Sequence, residues 1–247
     1  MNNVRIKITV VTCALQADQE LRRTVESIYS QQNVECQSIV VTPDQNAERL
    51  RWLSNSKVIL QKKGGIYSAM NKGLDNVRTD YCLFLNSGDV FAKEDVLYCL
   101  YEHVKGSLWG YGSIRRVYAD GGEKTYNFSP YLRSLHKYGF RYVPHPAAIF
   151  HTDTIRSLWG FDELYRVSAD QKMMLQLSLI QRPKVTRKVI VFFNMNGVSS
   201  NRRFTEIMSD FSKFRSELFD RNIFDARIFS FFWKVVGIFY DRRNNYR

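Results

Sequence analysis

The apolar residues of this chain fall into two rhythms, short runs of β-branched residues and stripes spaced three to four apart, and the two alternate. Ile6 to Thr12 is a β-branched run that reads as a first buried strand. Asp18 follows as a helix cap, with Leu21, Val25, Ile28 and Tyr29 on one helical face. Gln37 to Val41 reads as a second strand, Ala47 to Leu53 as a short helix and Lys57 to Gln61 as a third strand. After the Gly64-Gly65 break, Ile66, Ala69, Met70, Gly73, Leu74 and Val77 form a helical stripe. Tyr81 to Leu85 is almost wholly apolar, as a strand covered on both faces should be.

Strands alternating with helices over the first ~90 residues predict an α/β fold, a Rossmann-like mixed sheet that is largely parallel and flanked by helices. Ligands of such sheets bind beyond the carboxyl ends of the strands. Past residue 105 the pattern changes. Leu108 to Tyr118 and Lys124 to Phe128 flank Asp120-Gly121-Gly122, a hairpin signal. Tyr142 to His151 predicts another strand, Thr152 or Asp153 a cap for a helix through Leu158, and Val189 to Phe193 a late strand. Two domains are expected, a catalytic-type domain over residues 1–200 and a helical, basic-aromatic extension over 201–247. In the extension, Arg203 to Phe219 has helical periodicity. The 13-residue stretch IFSFFWKVVGIFY that follows falls short of the roughly 20 residues that span a bilayer. Its Trp233, phenylalanines and basic flanks suit a helix lying in a membrane interface or packed on a partner or on the domain.

Charge narrows the partners without choosing one. The chain holds 36 Lys and Arg against 24 Asp and Glu, a net +12, which favours nucleic acid, an acidic membrane face or a phosphorylated small molecule. No nucleic-acid-binding motif accompanies the charge, so nucleic acid is not expected as a partner. The cysteines, Cys13, Cys36, Cys82 and Cys99, lack metal-ligand spacing, and three of them lie in or beside apolar runs, which predicts reduced thiols and a cytoplasmic setting.

Chemistry concentrates at LFLNSGD, Leu83 to Asp89. An apolar strand running into Asn86, Ser87, Gly88 and Asp89 delivers a carboxylate at the strand's carboxyl end, and Gly88 permits a tight turn or the close approach of a ligand. Asp89 there suits a hard divalent cation that takes its other ligands from phosphates. It equally suits the cap of a helix starting near Ala92.

GIYSAMNKG (Gly65 to Gly73) stands roughly ten residues before the strand that ends in FLNSGD. The two segments, in that order and spacing, resemble family 2 glycosyltransferases, and among them the bacterial transferases of capsule, colanic-acid-type and lipopolysaccharide sugars. The likeness covers roughly residues 6 to 200. It implies a GT-A fold and an inverting glycosyltransferase that moves a sugar from a nucleotide-diphosphate donor to a lipid-linked or polysaccharide acceptor. The expected setting is the inner face of the plasma membrane, in bacterial surface-polysaccharide synthesis. It further implies that Asp89 holds Mg or Mn against the diphosphate and that Thr12, Asn71, Lys72, Asn86, Ser87 and Gly88 lie on the donor side. In RVSADQKMMLQL, Asp170 looks like the family's general base, although an acid opening a helix is also an ordinary feature. His145 of VPHPAAIF is a candidate acceptor contact, and Ser199, Arg202 and Arg203 of NGVSSNRR resemble a loop that closes over the diphosphate.

The chain departs from the family on the donor side. Thr42 stands where relatives end their second strand with an acid, and Ser68 replaces the acid of "GIYDAMN". Asp44 can substitute for the first only if its loop is re-routed around Pro43. These losses leave the donor open and admit a weakened, inactive or purely non-catalytic protein. A nucleotidyltransferase would want a Gly-rich basic loop after the first strand, and VTCALQADQELRR has no glycine.

Overall fold

A computed structural model describes residues 6–45, 47–118, 120–195 and 204–219. The strands are β1 (Lys7–Cys13), β2 (Glu35–Thr42), β3 (Lys57–Leu60), β4 (Tyr81–Phe84), β5 (Val90–Phe91), β6 (Trp109–Val117), β7 (Glu123–Tyr126), β8 (Ala148–His151) and β9 (Lys184–Asn194). The helices are α1 (Gln19–Tyr29), α2 (Ala47–Leu50), α3 (Ile66–Leu74), α4 (Val96–Val104), α5 (Arg133–Lys137), α6 (Thr152–Ser157), α7 (Ala169–Ile180) and α8 (Phe204–Leu218).

Eight strands form one sheet in the order β3-β2-β1-β4-β8-β6-β9-β5, and β7 pairs with β6 at its side. β1 to β4 are mutually parallel, joined through α1, α2 and α3. β8 then runs antiparallel to β4, and β6 antiparallel to β8, while β9 lies parallel to β6. The sheet is therefore parallel in its first half and mixed in its second, as the change of pattern after residue 105 leads one to expect.

Strand alternation sorts the core onto two faces. Val11, Val41, Cys82, Phe84 and Phe150 pack with residues of α3, α6, α7 and α8 on one face. Ile8, Val10, Leu83, Leu85 and Ile149 pack with residues of α1 and α4 on the other. α3 lies close on β1 because residue 73 is glycine; a Cβ there would run into the Val11 side chain.

Some boundaries differ from expectation. No helix begins near Ala92: Val90–Phe91 pairs antiparallel with β9, and α4 starts only at Val96. The strand expected over Tyr142 to His151 is shortened by a 3-10 turn at His145–Ala147 that includes Pro146. α6 opens at Thr152, but the Thr152 hydroxyl donates to Thr79 O instead of capping the helix. Asp18 does cap α1, accepting from Leu21 N at 3.1 Å. The helix expected over Arg203 to Phe219 is α8, Phe204–Leu218. The segment beyond residue 219 lies outside the described residues.

Candidate active site

The carboxyl ends of β1, β2 and β9 and the turns after β3 and β4 surround a cavity of about 700 Å³. Cys13 and Ala14 come from β1, Thr42 and Pro43 from β2, Gln61 from the end of β3, Asn86, Ser87 and Asp89 from the turn after β4, and Asn194 from β9. Gly64, Gly65 and Ile66 close one side at the start of α3. Gly65 occupies the cap position with no side-chain capping bond. The first N–H groups of a helix have no intrahelical acceptor, so this end of the cavity favours an anion.

The turn after β4 is held from several sides. Leu85 N donates to Val11 O, Ser87 N to Cys13 O at 3.2 Å, and Gly88 N to the Thr24 hydroxyl of α1 at 3.0 Å. Gly88 has φ +96, and a Cβ on it would sit 2.8 Å from Glu20 Oε2. The left-handed φ is what calls for glycine here; the Glu20 and Asn194 contacts are with the ends of side chains that can shift. The turn delivers Asp89 at 4% exposure, with Oδ1 accepting from Asn194 N at 3.0 Å. Burial pushes the Asp89 carboxyl up to about 8; the bond from Asn194 N opposes this and the nearby Glu20 carboxylate adds to it. The helix-cap reading of Asp89 therefore fails, because its carboxylate is committed to β9 and the cavity.

Glu20 reaches the same place, accepting from Asn194 Nδ2 at 3.1 Å. Asn86 adds a buried Oδ1 that has no hydrogen-bond partner. Two carboxylates and an unsatisfied amide oxygen at one cavity suit a hard divalent cation. No group of three or more His, Cys, Asp or Glu that could hold a metal occurs among the described residues. A cation at Asp89 would thus draw its remaining ligands from a phosphorylated substrate.

Asp170 stands behind this wall, in the first turn of α7, and does not line the cavity. Tyr67, the second residue of α3, donates to its Oδ1 at 2.9 Å, so the helix whose start borders the cavity also touches Asp170. Gln171 Nε2 donates to Oδ2 at 3.0 Å. The amide of Gln171 is oriented by Val143, giving to Val143 O and accepting from Val143 N, both at 3.0 Å. His136, Tyr142 and His145 surround the carboxylate electrostatically. Burial pushes His136 down to about 4, with Asp170 and then Gln171 opposing. Burial lowers His145 too, again against Asp170.

The remaining expected residues divide. Asn86, Ser87 and Asp89 line the cavity, and Gly88 shapes their turn. Thr12 is fully buried with an unpartnered Oγ1, and the next two residues line the wall in its place. Asp44 sits past the wall and ties loops together, accepting from Ala17 N at 3.2 Å and lying 3.9 Å from Arg49. Asn71 and Lys72 do not line the cavity. Helical spacing gives Ile66 and Ala69 to it, whereas Asn71 bonds to both Phe161 N and Phe161 O and Lys72 donates to Leu60 O. His145 is buried beside Phe84, with ring centroids 5.6 Å apart. Ser199, Arg202 and Arg203 lie outside the described residues. Glu20, Gln61, Tyr67 and Asn194 belong to the site without having been expected there. Only Tyr67 carried a signal, its place inside GIYSAMNKG.

The model of the family described as "Glycosyl transferase family 2" matches residues 9–157. Two uncharacterized glycosyltransferases of Mycobacterium tuberculosis, MT1564 of strain CDC 1551 and Rv1514c of strain H37Rv, are each 29% identical over 216 residues, covering 82% of this chain and 80% of theirs. Among solved structures, residues 1–349 of S. aureus TarS in complex with UDP-GlcNAc superpose with a TM-score of 0.68 at 14% identity, covering 91% of this chain and 70% of that one. The mannosyltransferase PcManGT of Pyrobaculum calidifontis, in complex with GDP-Man and Mn2+, gives 0.56 at 13% identity, covering 76% and 56%. At these identities the structural likeness is one of fold.

Proposed function

Because the chain belongs to glycosyl transferase family 2, we propose that it catalyses inverting transfer of a sugar from a nucleotide-diphosphate donor, with Asp89 as cation ligand and Asp170 as general base. The observation that carries this reading is the buried Asp89 carboxylate in a cavity at the carboxyl ends of the strands, bordered by the helix whose Tyr67 touches the half-buried Asp170. UDP-GlcNAc and GDP-Man, bound by the two solved relatives, are donors of the class the cavity suits.

In this mechanism the diphosphate lies between Asp89 and the uncapped start of α3, where helix N–H groups and the nearby Lys62 favour negative charge. Asp89 would hold Mg or Mn, which would supply neutralisation of charge on the departing nucleoside diphosphate. Thr42 and Gln61 border the part of the cavity left for the nucleoside, in place of the acid usual in relatives. The acceptor hydroxyl oxygen bonds to the anomeric carbon while the carbon–diphosphate bond breaks, its electron pair leaving with the nucleotide. Asp170 takes the hydroxyl proton.

The acceptor is proposed to be a lipid-linked or polysaccharide chain of a bacterial surface polymer. The resemblance of GIYSAMNKG and FLNSGD to that subgroup and the net charge of +12 support this. No helix among the described residues is long and apolar enough to cross a membrane. The composition of the basic-aromatic segment near Trp233 is what suggests contact at a membrane surface.

A panel of nucleotide sugars with Mn2+, read by thermal shift and by release of nucleoside diphosphate, tests the reading. The expected result is stabilisation by one donor class and turnover that both Asp89→Ala and Asp170→Asn reduce at least ~100-fold. Wild-type turnover by Asp170→Asn would remove the base, and by Asp89→Ala the cation site.

A further inference from the structure

We propose that Tyr67 is a two-way hydrogen-bond partner of Asp170, donating to its carboxylate before transfer and accepting from its carboxyl group afterwards. The inference rests on the reading of Asp170 as the base. Tyr67 Oη lies 2.9 Å from Asp170 Oδ1 and 2.6 Å from Val167 O. A phenol has one hydrogen to give and lone pairs with which to accept, whereas a backbone carbonyl only accepts. One hydrogen therefore faces two acceptors, and the protonation state of Asp170 decides which of them receives it.

While Asp170 is ionised, the hydrogen of Tyr67 is drawn to Oδ1, because a bond to a charged acceptor is the stronger. When the acceptor hydroxyl gives up its proton, that proton comes to rest on Oδ1. The new Oδ1–H then donates to Tyr67 Oη, and the Tyr67 hydrogen turns to Val167 O, already in reach. Tyr67 neither gains nor loses a proton overall, and no heavy atom has to move.

The opposite oxygen has no such partner. Gln171 Nε2 faces Oδ2 with its amide orientation fixed by Val143, so it supports the carboxylate only as a donor. This favours Oδ1 as the place where the proton is kept.

Tyr67 is placed for the task. Its ring is buried and stacked on Phe161 at 5.9 Å, which leaves rotation about the C–O bond as its free movement. The other titratable groups facing Asp170 do not compete. They are His136 of α5, Tyr142, and His145 of the 3-10 turn, and among the described residues no hydrogen bond joins any of them to Asp170. Both histidines are held neutral by burial. Tyr67 is thus a positioning residue for the base, carried on the helix that also borders the donor cavity.

The test is pH-difference infrared spectroscopy of the full chain without ligand, with and without ring-labelled tyrosine. A carboxyl band that Asp170→Asn removes identifies protonation of Asp170. The expected result is that this band appears together with a shift of one tyrosine C–O stretch, and that Tyr67→Phe removes the tyrosine signal and displaces the carboxyl band. Protonation of Asp170 without a tyrosine change overturns the proposal, as does the absence of an Asp170 carboxyl band at every pH where the chain is folded. Should Tyr67→Phe fail to fold, the coupling of the two signals in the wild type still decides. Turnover retained by Asp170→Asn would instead remove the base reading and leave the spectroscopic coupling standing, so the two failures are distinct.

Discussion

At the scale of single residues, the cavity trades stability for charge. Asp89 is a buried carboxylate held near Glu20 with one backbone N–H as its support. Replacing it by Asn keeps the acceptor for Asn194 N and removes the cost of the charge. Asp89→Asn should therefore raise the thermal midpoint of the metal-free chain near neutral pH and abolish any further rise on adding Mn2+ with a nucleoside diphosphate. A lower midpoint in the metal-free variant would contradict this account. Gly88→Ala acts in the other direction. At φ +96 an L-residue is strained by about 1–2 kcal/mol, and the new methyl group pushes on Glu20 and Asn194. Urea denaturation should show a loss of that order, accompanied by weaker Mn2+ binding. The glycine and the acid were legible in LFLNSGD, because their chemistry is local to the strand end. Glu20 and Asn194 were not. They meet Asp89 only after α1 and β9 have folded onto the turn, and no spacing in the chain marks that meeting.

At the scale of elements, α3 is the part on which most of the site depends. Its start borders the cavity, its second residue reaches Asp170, its middle grips the loop before α7, and Gly73 lets it lie on β1. The sequence pattern placed this helix and its buried stripe correctly, because periodicity follows from the helix alone. It did not foresee that Asn71 would face away from the cavity, because the partner of Asn71 lies 90 residues on, at Phe161. That loop carries Trp159 at φ +64 and 91% exposed, but Phe161 and Tyr165 anchor it by burial, and Asn71 fixes its backbone at Phe161 and donates to Glu163 Oε1 as well. Asn71→Ala should cost about 1–3 kcal/mol, since it strands a backbone N–H and C=O, and should speed proteolysis between residues 158 and 167. Donor binding should stay at the wild-type level. A variant that keeps its stability but loses nucleotide affinity would return Asn71 to the donor side. β5 was hidden for a related reason: it is two residues long and exists by pairing with β9, a partner a hundred residues away.

For the whole molecule, the two sides of the site pull stability in opposite directions with pH. His136 binds its proton near 4 in the folded chain and near 6.5 when unfolded. Between those values the unfolded chain holds more protons, so stability is complete above about 6.5 and falls as the pH drops toward 4. The 2.5-unit gap corresponds to about 3 kcal/mol for this buried ring, and His145, lowered by the same burial, adds to the loss. Asp89 has the reverse sign. Its carboxyl holds a proton up to about 8 when folded but only to 3.8 in its ordinary state, so its share of stability is complete in acid and is lost as the pH rises toward 8. Between about 4 and 6.5 His136 and His145 work against Asp89, and from 6.5 toward 8 the loss at Asp89 continues without them. The thermal midpoint of the metal-free chain should thus fall as the pH rises from about 6.5 toward 8. Asp89→Asn should remove the decline above 6.5 and steepen the fall below it, since the loss at Asp89 spans 3.8 to about 8, whereas His136→Gln should change the slope only below 6.5. Midpoints measured from pH 4 to 8.5 for the three proteins check this, and an alkaline decline that survives in Asp89→Asn would show that the cavity carboxylate is not the group responsible.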